Sequence, residues 1–319
     1  MSQAAAQSSA SASADVIVVG AGPAGSSAAY HMATLGLDVI LLEKQELGRD
    51  KVCGDGLTPS AVRELVSMGM DTTGWQRNRG LRVIGGGHLL HFPWPEQASF
   101  PSYGMARPRA LLDRDLAEHA AAAGARLLTG VTVTAPVTSP TGRVTGVEAR
   151  PTNRVAYPGI EGPTTFTAPL VVDAGGVSAR LATAVGRTKN ERRPMGVAVR
   201  AYFRSPRAKD AWMESRLELW DGTPGKSDLL PGYGWIWSVG EGLVNVGLGS
   251  VSSRAQATAI DYRAVFNRWM DNVPASWGFT KENQVGGLVS AALPMAFNRK
   301  PHYADGLMLL GDAGGMVSP

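Results

Sequence analysis

The sequence predicts an α/β protein built on a doubly wound parallel sheet that carries an inserted antiparallel β-sheet lobe, and three stretches predict it. Asp15-Val-Ile-Val-Val-Gly20 is a β-branched apolar run ending at glycine, as a parallel strand buried on both faces would. Ala24 to Leu35 is small and helix-compatible and closes at Gly36. Leu37-Asp-Val-Ile-Leu-Leu-Glu43 then reads as a second buried strand, so residues 15–43 form one βαβ unit. Between about 195 and 252 the pattern changes to antiparallel strands, Val197 to Phe203 and Ser215 to Trp220, with a hairpin signal at Gly240-Glu-Gly242.

The remaining elements follow in order. Met1 to Ala14 is rich in Ser, Ala and Gln and carries no Lys or Arg. It is read as a disordered tail without the basic start of a signal peptide. Arg109 to Gly124 reads as a helix with an Ala-rich face, and Ala125 to Val133 as a strand. Thr141 to Thr167 reads as a meander, Leu170-Val-Val-Asp173 as another buried strand, and Ala255 to Met270 as an amphipathic helix. Gly306-Leu-Met-Leu-Leu-Gly-Asp312 returns to the first sheet. The expected domains are a discontinuous nucleotide domain over 15–80, 105–190 and 300–319, and a substrate lobe over 81–104 with 191–299.

The bulk numbers exclude several classes. With 319 residues, 44% hydrophobic and 18% charged, the chain is globular. A formal charge of +4 with no basic run argues against a nucleic-acid groove and leaves contact with an anionic membrane surface open. The single cysteine, Cys53, forbids an internal disulfide framework and fits a cytoplasmic chain. No apolar run reaches the roughly 18 residues of a spanning helix. None of the five histidines stands at metal-ligand spacing, so no metal is expected, and no G-x-S-x-G elbow supports a hydrolase.

Gly20-Ala-Gly22-Pro-Ala24-Gly25 sits directly after a buried strand and opens a helix. Gly20 permits the turn, Gly22 lets backbone approach a pyrophosphate, and Gly25 lets helix and strand pack closely, while the helix start supplies N–H groups and positive dipole. Glu43, 23 positions after Gly20 and followed by Lys44, ends the second strand, where an acid accepts hydrogen bonds from ribose hydroxyls. This constellation binds an adenine dinucleotide and does not by itself choose FAD over NAD.

Two later segments choose by resemblance. Val172-Asp-Ala-Gly-Gly-Val-Ser-Ala-Arg180 and Gly306-Leu-Met-Leu-Leu-Gly311-Asp312-Ala-Gly-Gly resemble the middle and Gly-Asp motifs of flavoprotein monooxygenases and reductases. In that superfamily the aspartate at the position of Asp312 binds the flavin ribityl chain; Asp173 and Asp312 read from residues alone are strand-end acids capping a turn. Asp50-Lys-Val-Cys-Gly-Asp-Gly-Leu-Thr-Pro-Ser-Ala-Val-Arg63 resembles the segment that marks the geranylgeranyl reductase family, FAD enzymes that saturate isoprenoid double bonds. Ser99 to Arg107, Leu230 to Ser238, Val244 to Ser250 and Ala292 to Met295 extend the match. Together they are most similar to the actinobacterial branch that reduces one isoprene unit of the menaquinone tail.

The resemblance implies a p-hydroxybenzoate hydroxylase-like fold with a Rossmann-like FAD domain. It implies Cys53, Gly54 and Gly56 beside the flavin, and Arg107 and Val133 near the adenine half. Cys53 and Tyr233 are the weak catalytic candidates, Cys53 being favoured as a flavin contact rather than a nucleophile. Tyr233, Trp235 and Trp237 alternate onto one strand face, which suits either an apolar channel for a polyprenyl chain or a packed core. The family has Phe then Pro where this chain has Trp237 and Ser238, a departure that bears on tail length or double-bond preference. The implied partners are a menaquinone or geranylgeranyl lipid and an electron donor, NADPH or a redox protein, with peripheral contact at the inner face of the cell membrane. The family continues past the position of Pro319, so a C-terminal truncation is expected. Other readings are an aromatic-ring monooxygenase of the same superfamily and a flavin- or lipid-binding protein without turnover.

Overall fold

A computed structural model describes residues 11–152, 162–190, 192–252 and 260–317. Two compact units emerge: Met1–Arg49 with Leu112–Glu191 and Pro294–Ser318, and Asp50–Leu111 with Arg192–Leu293.

The first unit holds a six-stranded sheet in the order Tyr303–Ala304, Leu307–Leu309, Leu170–Asp173, Val16–Val19, Val39–Leu42, Arg126–Leu128. All neighbours are parallel except the short Tyr303–Ala304 hairpin. Val16, Ile17 and Val18 are at most 3% exposed, so the central strand is covered on both faces, which is why it carries no polar alternation. Val16 and Val18 pack with Ala29, Ala117 and Ala120 of the two helices Pro23–Thr34 and Arg109–Ala122. Ile17 packs on the other face with Val131, Val147 and Phe166 of a four-stranded sheet. The small alanines let the helices approach closely.

That second sheet runs Ser11–Ser13, Thr164–Thr167, Val144–Pro151, Val131–Thr138. Ser11–Ser13 pairs in parallel with Thr165–Thr167, and the Ala14 N–H donates to the Thr167 carbonyl at 3.1 Å. The disorder expected over Met1 to Ala14 is overturned at Ser11–Ala14, because a sheet edge supplies backbone partners that a small-residue segment accepts without side-chain packing; residues 1–10 lie outside the described residues. The strand expected over Ala125 to Val133 is two strands in different sheets. Gly130, at φ +68°, turns the chain between them.

The second unit is built on a seven-stranded sheet ordered Gln284–Pro294, Met195–Arg204, Leu243–Ser252, Gly232–Gly240, Trp212–Arg216, Gly80–Gly85, His88–Pro93. The Gly232–Gly240 and Leu243–Ser252 hairpin turns through Glu241 and Gly242, both at positive φ, the mirror-image turn that matches strand twist. The strand expected over Ser215 to Trp220 is divided between Trp212–Arg216 and Leu219–Trp220. The helix expected from Ala255 is described from Tyr262 to Met270, capped by Asp261, and it buries Val265, Phe266 and Trp269; residues 255–259 lie outside the described residues.

Residues 50–80 and 105–111, expected with the nucleotide domain, group with this lobe. Gly104–Ala106 pairs with both Gly56–Leu57 and Gln76–Asn78, and the seven-stranded sheet holds this segment through Trp237, which donates to the Gly54 carbonyl, and Asn245, which donates to the Cys53 carbonyl.

Candidate functional site

In the first unit the glycine turn is built as a cradle. Gly20 sits at φ +100°, and a Cβ there would meet the Ala174 carbonyl oxygen at 2.5 Å. A Cβ on Gly25 would collide with the Gly20 carbonyl oxygen and meet Ala174 Cβ at 3.1 Å. Both glycines are therefore required by close backbone approach, not merely tolerated. Gly22 is the N-cap of the Pro23–Thr34 helix and offers no side-chain cap, so the first-turn N–H groups, Ala24 among them, face outward for an anion.

Glu43, 5% exposed, reaches back to this turn: its Oε2 accepts the Ala21 N–H at 2.9 Å and its Oε1 accepts the Gln45 N–H at 3.1 Å. Each carboxylate oxygen keeps a further lone pair for a ribose hydroxyl. The Glu43 backbone is gripped on both sides, donating to Leu128 O and accepting from Val131 N at 2.9 Å each. That places the strand carrying Val133 beside the acid. Lys44 is exposed and approaches only through its carbonyl, which accepts from the Thr152 hydroxyl at 2.6 Å.

Asp173 ends the strand next to the turn and is buried, with Oδ1 accepting the Gly175 N–H at 2.9 Å and Oδ2 the Ala182 N–H at 3.1 Å. Burial raises its pKa, against the lowering by those N–H groups and by Arg299. Its side chain thus caps the turn after its own strand. Gly311, at φ +58°, brings the Gly311–Gly314 turn onto the helix start, where a Cβ would meet Ala24 Cβ at 2.9 Å. Half-buried Asp312 is in that turn. Gly20, Gly22, Ala24, Gly25, Glu43, Gly311 and Asp312 therefore converge, and the uncapped helix, the cradle and the carboxylate fit an adenine dinucleotide.

The other predicted residues lie in the second unit. Trp237 donates its indole N–H to the Gly54 carbonyl at 2.6 Å, and Trp235 donates to Asn245 Oδ1 at 2.8 Å. A Cβ on Gly54 would meet the Trp237 ring at 2.9 Å, so glycine lets the Cys53–Gly56 loop lie flat on that ring. Trp235 and Trp237 are stacked with centroids 6.0 Å apart, and both are buried. They pack in a cluster with Ala106, Ala198 and Met213, so this face serves as a core that carries the loop. Tyr233 is half-buried at its end; burial, and then charge at Cys53, push its phenol upward, so it keeps its proton at neutral pH. A cleft of about 200 Å³ in this unit, walled by Ile84, Trp220, Pro224 and Trp269, includes none of the three aromatics. Arg107 stacks its guanidinium over Trp75 at 5.2 Å.

One residue of this loop escaped the sequence reading. Asp55 is 1% exposed and adopts φ +63°. Its Oδ2 accepts from Tyr202 Oη at 2.5 Å and from Asn245 Nδ2 at 2.8 Å, and its Oδ1 accepts the Arg109 N–H at 3.1 Å. Burial pushes its pKa up to about 6 against these donors and the nearby Arg200 guanidinium. The available signal was an acid between two glycines, Gly54-Asp55-Gly56, since aspartate is among the few residues that accept a left-handed backbone.

A doubly wound sheet, a glycine cradle and a strand-end acid define a dinucleotide-binding class, and comparison with known proteins places the chain among its FAD-binding members. The FAD-binding domain family matches residues 13–265. Menaquinone reductase of Mycolicibacterium smegmatis is 38% identical over 310 residues, 96% of this chain and 71% of that protein. Digeranylgeranylglycerophospholipid reductase 1 of Methanosphaera stadtmanae is 30% identical over 313 residues, 96% of this chain and 70% of that protein. The crystal structure of a geranylgeranyl bacteriochlorophyll reductase-like protein from Thermoplasma acidophilum superposes with a TM-score of 0.76 at 24% identity, covering 96% of this chain and 72% of that one. The myxobacterial chondrochloren halogenase shares the fold at a TM-score of 0.73 and 22% identity, over 97% of this chain and 70% of that one. The chain belongs to the FAD-binding domain family and, within it, to the geranylgeranyl reductase family of FAD-dependent oxidoreductases that includes the menaquinone reductases. Among the described residues no cluster of His, Cys, Asp and Glu is arranged to hold a metal, and no helix is long and apolar enough to cross a membrane.

Proposed function

We propose that this chain saturates an isoprene C=C bond in the side chain of a polyprenyl lipid, with menaquinone as the favoured substrate. The observation that carries the reading is the 38% identity to a menaquinone reductase across 96% of the chain. The site geometry supports it. Reduced FAD supplies the hydride for such a bond.

The chain's own residues divide the remaining work. The uncapped helix start, Gly20, Gly22 and Ala24 bind the pyrophosphate, and Glu43 orients the ribose. Val133 and Lys44 border that end, and Asp312 with Gly311 takes the ribityl end. Asp173 shapes the neighbouring turn. Cys53, Gly54 and Gly56 present backbone to the flavin, supported by the indole N–H of Trp237, and Arg107 supplies a cation. Tyr233 holds a proton beside Cys53 and is the favoured donor to the second alkene carbon, and Trp235 and Trp237 form the floor beneath. A lipid substrate implies working at the inner membrane face, with electrons from NADPH or a redox protein.

The test is direct. Purified with detergent, the chain should show flavin absorbance and, after dithionite reduction, add two hydrogens to menaquinone by mass spectrometry. Colourless protein, or flavin-loaded protein leaving the quinone tail unchanged, refutes the reading.

A further inference from the structure

Asp55 is a buried carboxyl on a loop whose chemistry, read from sequence, lies entirely in its neighbours. Three donors from three separate segments point at it: Tyr202 from the strand Met195–Arg204, Asn245 from Leu243–Ser252, and the N–H of Arg109 at the start of its helix. The same Asn245 amide donates to the Cys53 carbonyl at 2.9 Å, and Cys53 Sγ accepts the Asp55 N–H at 3.3 Å. The Arg107 N–H closes the far side, donating to the Asp55 carbonyl at 3.1 Å. Arg200 lies over the Tyr202 ring at 4.1 Å and pairs with Asp50 and the Lys51 carbonyl, so a fully buried guanidinium backs the network. Removing a carboxyl from water is costly, and a non-glycine residue at positive φ adds strain. A segment retains both where its backbone must be held in one place.

We propose that Asp55 positions the Cys53–Gly56 loop: its carboxyl, gripped by Tyr202, Asn245 and the Arg109 N–H, holds the loop on the Trp237 ring, and opening of the loop is coupled to loss of the Asp55 proton. Only the claim that this loop belongs to the active site rests on the prenyl reductase reading. The coupling has a definite sign. In the closed loop burial holds the carboxyl near 6, whereas in the open loop water returns it to the ordinary range near 3.8. Protonation therefore favours the closed loop and ionisation favours the open one. Tyr202, pushed upward by burial and by the Asp55 charge, stays protonated throughout and remains a donor.

Cys53 is the sole cysteine, so a thiol reagent such as DTNB reports this loop alone. In the whole chain, Asp55→Ala, which strips the acceptor from three buried donors, should raise the modification rate at pH 6 at least tenfold over wild type. Tyr202→Phe, which removes one donor and keeps the ring over which Arg200 lies, should raise it severalfold. Asp55→Asn keeps a residue tolerant of positive φ but cannot titrate. The ratio of the wild-type rate to the Asp55→Asn rate cancels Cys53's own ionisation and should climb roughly tenfold from pH 5 to pH 7.5, the factor set by a carboxyl moving between the two ranges. Equal rates for wild type, Asp55→Ala and Tyr202→Phe, or a ratio flat with pH, overturn the assignment. If these ratios hold while menaquinone gains no hydrogen, the substrate reading falls and the positioning role stands.

Discussion

Replacing Gly25 by alanine is the sharpest perturbation of the nucleotide cradle, because it adds one carbon where the backbone leaves no room for it. The new Cβ would fall well inside the 3.0 Å limit of real Cβ contacts with the Gly20 carbonyl oxygen, and would also press on Ala174 Cβ at 3.1 Å. The obstructing atom is backbone, and that backbone is tied down. Gly20 donates to the Leu42 carbonyl at 2.7 Å, and Ala21 donates to Glu43 Oε2 at 2.9 Å. Helix and turn must then part by about 1 Å in a region packed at crystal density, a class of overpacking that costs about 1–3 kcal/mol. Because the displaced atoms are those that would face the pyrophosphate and orient Glu43, the cost should appear in cofactor binding as a roughly 5- to 150-fold weaker affinity for FAD. The assay is a flavin fluorescence titration of the deflavinated chain. Gly36→Ala is the control: it strains a positive φ, at +85°, but meets nothing within 4 Å and should lower thermal stability without changing FAD affinity. An FAD affinity for Gly25→Ala within twofold of wild type would refute the argument that close packing at Gly25 builds the site.

Other outcomes follow from the same geometry. Asp55, raised from 3.8 to about 6, contributes stability that is fully present below pH 3.8 and lost as pH rises through 6. Wild type should therefore lose about 2 kcal/mol relative to Asp55→Asn between pH 4 and pH 7, read as melting temperatures across that range; a constant difference would contradict it. Glu43→Gln keeps one acceptor but loses the charge that assists its hydrogen bonds. It should weaken FAD binding by about tenfold with little change in the fold by circular dichroism. Trp237→Phe keeps a ring on Gly54 and deletes the 2.6 Å indole bond to its carbonyl, so it should cost about 1 kcal/mol in denaturant unfolding and speed thiol modification of Cys53.

The βαβ unit and the glycine turn proposed to hold the nucleotide were legible because their signals are local. A β-branched run stopping at Gly20, a helix of small residues and an acid at position 43 are each set by the backbone's own periodicity and by steric freedom at glycine. Their partners in the structure, Ala21 with Glu43 and Gly25 with the Gly20 carbonyl, confirm the spacing. The doubly wound sheet with an antiparallel lobe was legible for the same reason. Ser11–Ser13 was not, because its strand depends on an edge offered by Thr164–Thr167, some 150 residues away, and not on its own composition.

What only the tertiary structure decided depends on burial and on pairs distant in sequence. The glycines on either side of Asp55 mark a turn but not its acidity, since its raised pKa comes from burial beneath the strands of Tyr202 and Asn245. The alternation of Trp235 and Trp237 was visible, but their indole N–H groups found partners at Asn245 and Gly54, which makes that face a packed support for the loop. Sequence determined which backbone could receive a dinucleotide. Folding determined which side chains lost water, and loss of water is what changes the chemistry of an acid.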